Sequence, residues 1–416
     1  MTQSVDILRQ KTSEGRHILI YGAGSQGRGV LRALRRIEIE VAGFVDRNPS
    51  VQGNNVGGLP VHSPDILHQT ESRERYFIII AAFFFEREIS SFLHRIGFEV
   101  GKHYLPYSTL KPHDYAVEVS GVCNLRCISC PRAHRPPTGR NASMMSLDSF
   151  RQVIGKIRRE SPLVGNLQLY QWGEPTLNPE LPDMIRFARE NGFLCSLSSN
   201  LNHKADFRAL IAALPECLRL SVSGIGENYE LTHTGGSWPT FLCHVHEIGT
   251  LRQELHPSMK VELYFHQYRH SVGNQQNRIA ELCQQLQFEF HPVPAYIISL
   301  DDVLAYAEGT PLPAPSCRAR DLLLVDIDEG LRRARAEATL PCDALRVIMI
   351  NADLSVSTCM MFYDPDANTL VKDFLSTPLE AIIDRRKQAP LCSRCRKHAI
   401  HRYCSVYAQL SEERRY

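Results

Sequence analysis

Three cysteines, Cys123, Cys127 and Cys130, stand in C-x3-C-x2-C spacing in the segment EVSGVCNLRCISCPRA, directly after a predicted strand. Thiolates hold iron–sulfur clusters, and a cubane normally takes four of them. Three thiolates on one loop can therefore hold three irons and leave the fourth open to a reacting ligand. The alternatives are three incidental thiols or a zinc site, but zinc sites usually pair cysteines as C-x2-4-C with a second pair or histidines later. The spacing favours an open [4Fe–4S] cluster.

A second group of cysteines can close another metal site. Cys342 and Cys359 flank RVIMINADLSVST, which has the pattern of a β-hairpin, and Cys392 and Cys395 form a later C-x2-C pair. Two fully ligated cubanes take about eight thiolates, whereas six cysteines lie beyond residue 300. One auxiliary [4Fe–4S] cluster on these four thiolates is therefore the prediction. A structural zinc site with the same ligands is the alternative.

The remaining cysteines have other predicted roles. Cys404 is an alternate ligand of the auxiliary cluster, and both Cys404 and Cys317 are candidates for a thiol on the substrate side. Four isolated cysteines are expected to be small buried hydrophobic residues: Cys195, Cys217, Cys243 and Cys283.

A glycine-rich loop near the N-terminus has the context of a dinucleotide site. Gly22, Gly24 and Gly27 stand in G-x-G-x-x-G spacing, with Gln26 between them, after a strand and at the start of a helix. Asp46 ends the next strand, where a carboxylate can bind ribose hydroxyls. The sequence predicts NAD or a nucleotide-sugar as ligand. The alternative is a scaffold module whose glycines only permit close packing.

Composition and charge exclude several classes of protein. Lys and Arg together number 47, and Asp and Glu together number 45, so positive and negative charges nearly balance. This balance gives no electrostatic reason to expect a nucleic acid or an anionic membrane as partner. The apolar run YFIIIAAFFF is too short to span a bilayer, and the N-terminal segment lacks the apolar core of a secretory signal. We expect a cytoplasmic protein, in which clustered cysteines bind metal rather than form disulfides.

The order of predicted elements indicates an α/β protein of three parts. Strands and helices alternate over residues 1–110, as in a Rossmann-like parallel sheet, and again over 115–300, as in a partial (β/α)6 barrel. Residues 301–416 are expected to form a small cluster-binding domain. Residues 297–335, at the junction with the barrel, have no clear pattern. The six predicted barrel strands are Ala116–Ser120, Asn166–Tyr170, Phe193–Ser198, Leu218–Val222, Val261–Phe265 and Phe288–Pro292.

The segment CNLRCISC resembles the cluster loop of the radical S-adenosylmethionine (SAM) superfamily, and the resemblance extends over residues 115–300. It departs at Ser129, where the family often has an aromatic residue beside the adenine. The resemblance implies that SAM chelates the open iron and is cleaved to a 5′-deoxyadenosyl radical. The later cysteines resemble the twitch variant of the SPASM extension, which holds one auxiliary cluster.

Further segments resemble the SAM-binding motifs of that superfamily. QWGEP is similar to its Gly-Gly-Glu-Pro motif, which implies that backbone groups of Trp172 and Gly173, with the Glu174 carboxylate, meet the SAM ammonium. Two strand ends carry the other implied SAM ligands, Ser199 and Asn200 on one and Ser221, favoured over Ser223, on the next. Serines at strand ends are also common turn formers.

Substrate and reaction are less constrained by the sequence. The N-terminal segment resembles nucleotide-binding domains fused to sugar acyltransferases, which favours a small, sugar- or nucleotide-linked substrate and net dehydrogenation, with flavodoxin or ferredoxin as electron donor. Rival hypotheses are a peptide-modifying maturase, a radical epimerase, and a non-enzymatic nucleotide-sensing module with bound zinc. No catalytic residue is assigned. Four polar residues near late strand ends could face substrate, but buried or surface roles are expected: His266, Tyr268, His291 and Tyr296.

Overall fold

A computed structural model describes residues 2–69, 71–110, 113–135 and 137–413. The chain forms two compact units. One contains the residues up to Asp114 together with Gln152–Leu167 and Phe187–Leu194, and the other contains Tyr115–Arg151, Gln168–Arg186 and the chain from Cys195 onward. Both combine helices with parallel strands, so the protein is α/β, as predicted. The three-part division at residues 110 and 300 stays a prediction.

The sheet of the first unit has six strands in the order β3-β4-β2-β1-β5-β6. Its central strand β1 pairs in parallel with β2 and β5, and β3 runs antiparallel to β4. The order reverses beside β1, which is the arrangement of doubly wound sheets. The strands are β1 (His17–Tyr21), β2 (Gly43–Val45), β3 (Asn55–Val56), β4 (Leu59–His62), β5 (Tyr76–Ile80) and β6 (Tyr104–Leu105).

Both faces of this first sheet are buried. Ile18 and Ile20 of β1 pack in one apolar cluster with residues of the helix that follows. Leu19 and Tyr21 pack in a second cluster with Ile89. Alternate side chains of a strand point to opposite faces, so a run without polar residues, such as ILIY, is what a sheet covered on both sides requires.

The second sheet has nine strands in the order β12-β11-β10-β9-β8-β7-β13-β14-β15. Six strands, β7 to β12, are neighbours in chain order, and β9 to β12 are paired in parallel, which is the predicted partial-barrel arrangement. A hairpin of β13 and β14 extends it. The strands are β7 (Asp114–Val117), β8 (Asn166–Gln168), β9 (Leu194–Ser199), β10 (Cys217–Val222), β11 (Lys260–Gln267), β12 (Glu289–Pro294), β13 (Val347–Ile350), β14 (Val356–Ser357) and β15 (Thr369–Val371).

Helices fill the connections between strands and most of the C-terminal region. In the described part of the chain, none has both the length and the apolar composition that crossing a membrane demands. They are α1 (Thr2–Ser13), α2 (Ser25–Arg36), α3 (Ser72–Arg75), α4 (Glu86–Arg95), α5 (Tyr107–Leu110), α6 (Leu147–Glu160), α7 (Leu181–Glu190), α8 (Phe207–Ala212), α9 (Glu227–Thr232), α10 (Trp238–Leu255), α11 (Asn274–Leu286), α12 (Leu300–Ala307), α13 (Ala314–Leu322), α14 (Ile327–Ala336), α15 (Pro365–Asn368), α16 (Leu379–Lys387), α17 (Pro390–Lys397) and α18 (Tyr403–Glu413).

The segment 297–335, which had no clear pattern in the sequence, forms helices that close one side of the second unit. Val303 of α12, Leu323 after α13 and Leu331 of α14 share an apolar cluster with Tyr403 and Tyr407 of α18. These helices are short and bury residues contributed by distant parts of the chain, so their local pattern is weak. Cys395 belongs to the same cluster, and Cys359 and Cys404 pack against it.

Candidate active site

The three closely spaced cysteines lie on a loop that follows β7 at its carboxyl end. The loop is fixed by backbone hydrogen bonds from Arg126 N to Thr234 O, 2.9 Å, and from Ile128 N to Thr232 O, 3.1 Å. Burial raises the pKa of Cys130 to about 12 and that of Cys127 well above its usual value. Thiols in such surroundings stay protonated until a bound cation compensates the thiolate charge.

The cysteine loop opens on a cavity of about 190 Å³ within the second unit. The structure brings to this cavity the three cysteines and the seven residues predicted to bind SAM. Those seven are Trp172, Gly173, Glu174, Ser199, Asn200, Ser221 and Ser223. Three thiols beside backbone and hydroxyl groups are a donor set that suits an iron–sulfur cluster with one open iron and a polar ligand next to it. Their roles toward SAM remain predictions.

Glu118, one residue past the end of β7, holds the WGEP loop and was not identified from the sequence. Its Oε1 accepts hydrogen bonds from the backbone N–H groups of Trp172, 2.7 Å, and Gly173, 2.9 Å. Its Oε2 is buried and has no hydrogen-bond partner among the described residues. Burial raises the pKa of Glu118 to about 7, against the lowering effect of the two backbone donors and of Arg140 and Arg132. The signal that could have identified Glu118 is a carboxylate within the predicted strand Ala116–Ser120, whose other residues are mostly apolar.

Close packing requires glycine at position 173. A Cβ there would lie 1.8 Å from the backbone oxygen of Ser120. The WGEP loop therefore packs directly against the backbone of the segment between β7 and the cysteine motif. The N–H groups of Trp172 and Gly173 donate to Glu118, and the carbonyl groups of this loop are the backbone acceptors that a cationic ligand requires.

Glu174 is buried and joins the WGEP loop to the end of β9. Its Oε1 accepts hydrogen bonds from the Thr176 hydroxyl, 2.6 Å, and backbone N–H, 3.2 Å, and its Oε2 accepts one from Asn200 N, 2.8 Å. Asn200 in turn points its amide nitrogen at the Cys123 sulfur, 3.7 Å away. The Glu174 carboxylate thus supplies negative charge to the cavity. It also holds the WGEP loop, which follows β8, at the end of β9.

The two serines at the end of β10 differ in their surroundings. Ser223 is fully buried, with its Oγ 2.8 Å from His233 Nδ1 and in contact with the Thr232 hydroxyl. Burial, with a smaller contribution from His266, lowers the pKa of His233 to about 3, so this imidazole is neutral at physiological pH. Ser223 therefore has partners in the protein, whereas Ser221 faces the cavity from the strand itself.

Three of the four polar residues near late strand ends line the cavity, and one of them, Tyr268, is also buried, as expected. They are His266, Tyr268 and Tyr296. The Tyr268 hydroxyl donates to Ser129 Oγ, 3.2 Å, and so brings an aromatic ring beside the third cysteine. The fourth residue, His291, stacks on Tyr264 at 5.0 Å instead.

A second, smaller cavity of about 30 Å³ is lined by the four cysteines predicted to bind the auxiliary cluster: Cys342, Cys359, Cys392 and Cys395. Arg386 lies next to them, and its guanidinium donates to the carbonyl oxygens of Val347, 2.9 Å, and Ser357, 3.3 Å. Four thiols around one small space suit a soft, thiolate-bound metal centre, iron–sulfur or zinc. Their role as ligands remains a prediction.

The other cysteines lie away from these two cavities. Cys404, on α18, is outside the lining of both cavities. Cys317 in α13 donates to Leu312 O, 3.3 Å. Cys195, Cys217 and Cys283 are buried, as expected, but Cys243 is exposed on α10 and that expectation was wrong. Its position on the solvent side of a long helix was not evident from its apolar neighbours.

The glycine loop of the first unit follows β1, and its polar side chains are largely engaged. Asp46 accepts hydrogen bonds from Ala23 N, 2.7 Å, and Asn48 N, 2.9 Å, and Gln26 accepts one from the Tyr107 hydroxyl, 2.6 Å. Gly24 is the N-cap of α2 and, as a glycine, provides no side-chain hydrogen bond to the helix. The nucleotide-binding roles of Gly22, Gly24, Gln26, Gly27 and Asp46 remain predictions, and Asp46 has at least a structural role.

Comparison with known proteins gave matches of low identity. No known family profile matches the chain. A stretch of 78 residues, 19% of the chain, is 32% identical to 7,8-dihydro-6-hydroxymethylpterin dimethyltransferase of Methanocaldococcus jannaschii, and it spans 15% of that protein.

Among solved structures, Streptococcus suis SuiB bound to the precursor peptide SuiA is 12% identical, with 75% of this chain and 79% of that one covered and a TM-score of 0.47. Native anSMEcpe with bound AdoMet is 14% identical, with 67% and 82% covered and a TM-score of 0.44.

Proposed function

We propose that the protein is a radical SAM enzyme that reductively cleaves S-adenosylmethionine and uses the resulting radical to abstract hydrogen from a small substrate. The observation that carries this proposal is the convergence of three thiols, the WGEP loop and the polar ends of β9 and β10 on one cavity. The motifs come from distant parts of the sequence, so chance clustering is a poor explanation. When bound, the cluster and SAM supply the one-electron chemistry.

The residues of the chain have the tasks of holding, orienting and shielding. Cys123, Cys127 and Cys130 would hold the core cluster. Carbonyl groups of the WGEP loop, together with the buried charge of Glu174, would receive the SAM ammonium. The walls of the cavity are largely buried, which protects a reactive species from water.

The four C-terminal thiols support an auxiliary cluster and, with it, an oxidative reaction. Cys342, Cys359, Cys392 and Cys395 would hold one more [4Fe–4S] cluster that accepts the second electron of a dehydrogenation. An external donor such as flavodoxin or ferredoxin would reduce the core cluster. A sugar- or nucleotide-linked metabolite is the proposed substrate, since the first unit has the doubly wound order of nucleotide-binding sheets, with NAD or a nucleotide-sugar as its ligand.

A radical epimerase is the second candidate, favoured by the packing of Tyr296, in the cavity wall, on Tyr407 of the helix that carries Cys404. A thiol near that wall could return a hydrogen atom to the substrate. A peptide-modifying maturase has less support, because such enzymes often carry a winged-helix domain for the leader peptide, whereas the first unit contains a six-stranded sheet in doubly wound order. A zinc-bound, non-enzymatic nucleotide sensor is the remaining rival.

Metal analysis of anaerobically purified protein separates these classes. We expect about eight irons and matching sulfide per chain, and about four fewer in Cys127→Ala. Cys243→Ala is the matched control, since Cys243 is exposed and outside both cavities, and it should leave the iron content unchanged. Stoichiometric zinc without iron would refute the proposal.

A further inference from the structure

Arg132 is a buried arginine in the wall of the active-site cavity. It follows Cys130, the third cysteine of the core motif, by two residues and lines the same cavity as the three thiols. An arginine side chain stays protonated at any physiological pH. A full positive charge therefore lies in the part of the cavity where the core cluster would be held.

Uncharged oxygens hold the Arg132 guanidinium in place. Its Nη1 donates to the carbonyl oxygen of Gly121 at 2.7 Å and lies 3.4 Å from the Tyr363 hydroxyl and 3.5 Å from the carbonyl oxygen of Asn141. Among the described residues, no carboxylate oxygen lies within 4.0 Å of the guanidinium nitrogens. The contacts thus fix the position of the charge and do not neutralise it.

The acidic groups of this region are engaged elsewhere or are incompletely ionised. Asp302 pairs with Arg135 at 3.0 Å, and Glu174 is the carboxylate that we propose for the SAM ammonium. Burial raises the pKa of Glu118 to about 7, and Arg132 is only a minor influence in the opposite direction. A buried charge is costly without a counter-ion, so Arg132 would be stabilised by further negative charge in the cavity.

The core thiols are the groups that could supply this charge. Burial raises the pKa of Cys123 and of Cys130, and the charge of Arg132 acts against that effect on both, so its field reaches both sulfurs. Cysteine binds a cluster as thiolate, and the net charge of the site becomes more negative when the cluster takes up an electron. A fixed positive charge in a buried site stabilises the reduced cluster more than the oxidised one.

We propose that Arg132 is the buried counter-charge of the core cluster and brings its reduction potential within reach of the external electron donor. The residue would act on the reduction that precedes SAM cleavage and have no part in hydrogen abstraction. This inference rests on the proposed function, because it requires a cluster on the three thiols of the core motif.

A potentiometric titration of the anaerobic holoenzyme, followed by electron paramagnetic resonance, tests the proposal. The signal that Cys127→Ala lacks belongs to the core cluster, and the remaining signal is an internal reference. Arg132→Gln should make one-electron reduction of the core cluster about tenfold less favourable, a negative shift of about 59 mV, and leave the reference unchanged. Arg132→Lys keeps the charge and should retain most of the wild-type potential.

Arg126 provides the matched control. It lies on the same loop, immediately before Cys127, and is exposed. Solvent and salt screen an exposed charge far more than a buried one. Arg126→Gln removes the same charge and should therefore shift the core potential much less than Arg132→Gln does.

Each outcome decides for or against the proposed role of Arg132. A shift in Arg132→Gln no larger than that in Arg126→Gln overturns the inference. If Arg132→Gln takes up no core cluster, normal uptake and a potential close to that of wild type in Arg132→Lys support the role of the charge. Failure of Arg132→Lys to restore uptake overturns it, because the contact with Gly121 would then be what matters. Iron content and SAM cleavage of the wild type, measured on the same samples, show separately whether the proposed function fails.

Discussion

Tyr296, which lines the active-site cavity, packs on Tyr407 of α18 with 5.0 Å between the ring centroids, so the cavity wall contacts the helix that carries Cys404. Burial raises the pKa of Cys404 to about 12. The thiol therefore stays protonated at physiological pH. Cys404 lines neither the active-site cavity nor the four-thiol cavity.

The position of Cys404 predicts that it is dispensable for metal binding. Cys404→Ala should retain about eight irons per chain, whereas Cys395→Ala should lose about four. The reason is that Cys395 lines the four-thiol cavity and Cys404 does not. Iron and sulfide analysis with the electron paramagnetic resonance spectrum of the reduced protein checks this. Equal iron loss in both variants would make Cys404 a ligand.

The buried carboxyl of Glu118 predicts a pH-dependent stability. Its pKa is raised from 4.5 to about 7, so between these values the folded chain binds more protons than the unfolded chain. Stability should therefore fall as pH rises from 4.5 to 7, by roughly 3 kcal/mol at full ionisation. Thermal unfolding of the holoenzyme between pH 5 and 8 measures this slope.

Replacement of Glu118 separates its charge from its hydrogen bonds. Glu118→Gln keeps an acceptor for Trp172 N and Gly173 N and should retain SAM binding. The fall in stability with rising pH should become smaller, because the amide does not ionise. Glu118→Ala leaves two buried N–H groups unpaired, at about 1–3 kcal/mol each, and should weaken SAM binding at every pH. An unchanged slope in Glu118→Gln would assign the pH dependence to another group.

Two imidazoles are predicted to stay neutral over the physiological range. Burial lowers the pKa of His233 to about 3 and that of His266 to about 4. Nuclear magnetic resonance titration should thus show no titration of these two histidines between pH 5 and 8, with their signals identified by His233→Asn and His266→Asn. Because the unfolded chain protonates them near 6.5, they also lower stability as pH falls below that value. Ordinary titration of both would contradict the burial described.

A pair of glycine substitutions tests the first unit. A Cβ at Gly27 would lie 1.9 Å from Gly22 O, whereas one at Gly24 would meet nothing within 4 Å. Gly27→Ala should therefore destabilise the protein by several kcal/mol, about 3 or more from overpacking. Gly24→Ala should leave unfolding unchanged but reduce any stabilisation by NAD or a nucleotide-sugar, if the loop binds phosphate. Ligand stabilisation equal in Gly24→Ala and wild type would count against a phosphate site.

The sequence predicts the elements whose signals are local, and it misses contacts that the tertiary structure makes. The strand His17–Tyr21 and the hairpin after Cys342 have their expected places because alternation and apolar runs are local properties. The four C-terminal cysteines converge because C-x2-C spacing and hairpin ends are local too. Glu118 was missed, since its partner Trp172 lies 54 residues away in the chain. Isolated polar residues in strands give no indication of which distant groups they will meet.

Production of 5′-deoxyadenosine tests the central claim most directly. Anaerobic protein incubated with SAM and a strong reductant should release 5′-deoxyadenosine and methionine, as should Cys243→Ala. Cys127→Ala, which removes a buried thiol of the cysteine loop, should release neither above the background without enzyme. Iron-loaded wild-type protein that leaves SAM intact under these conditions would contradict the proposed function.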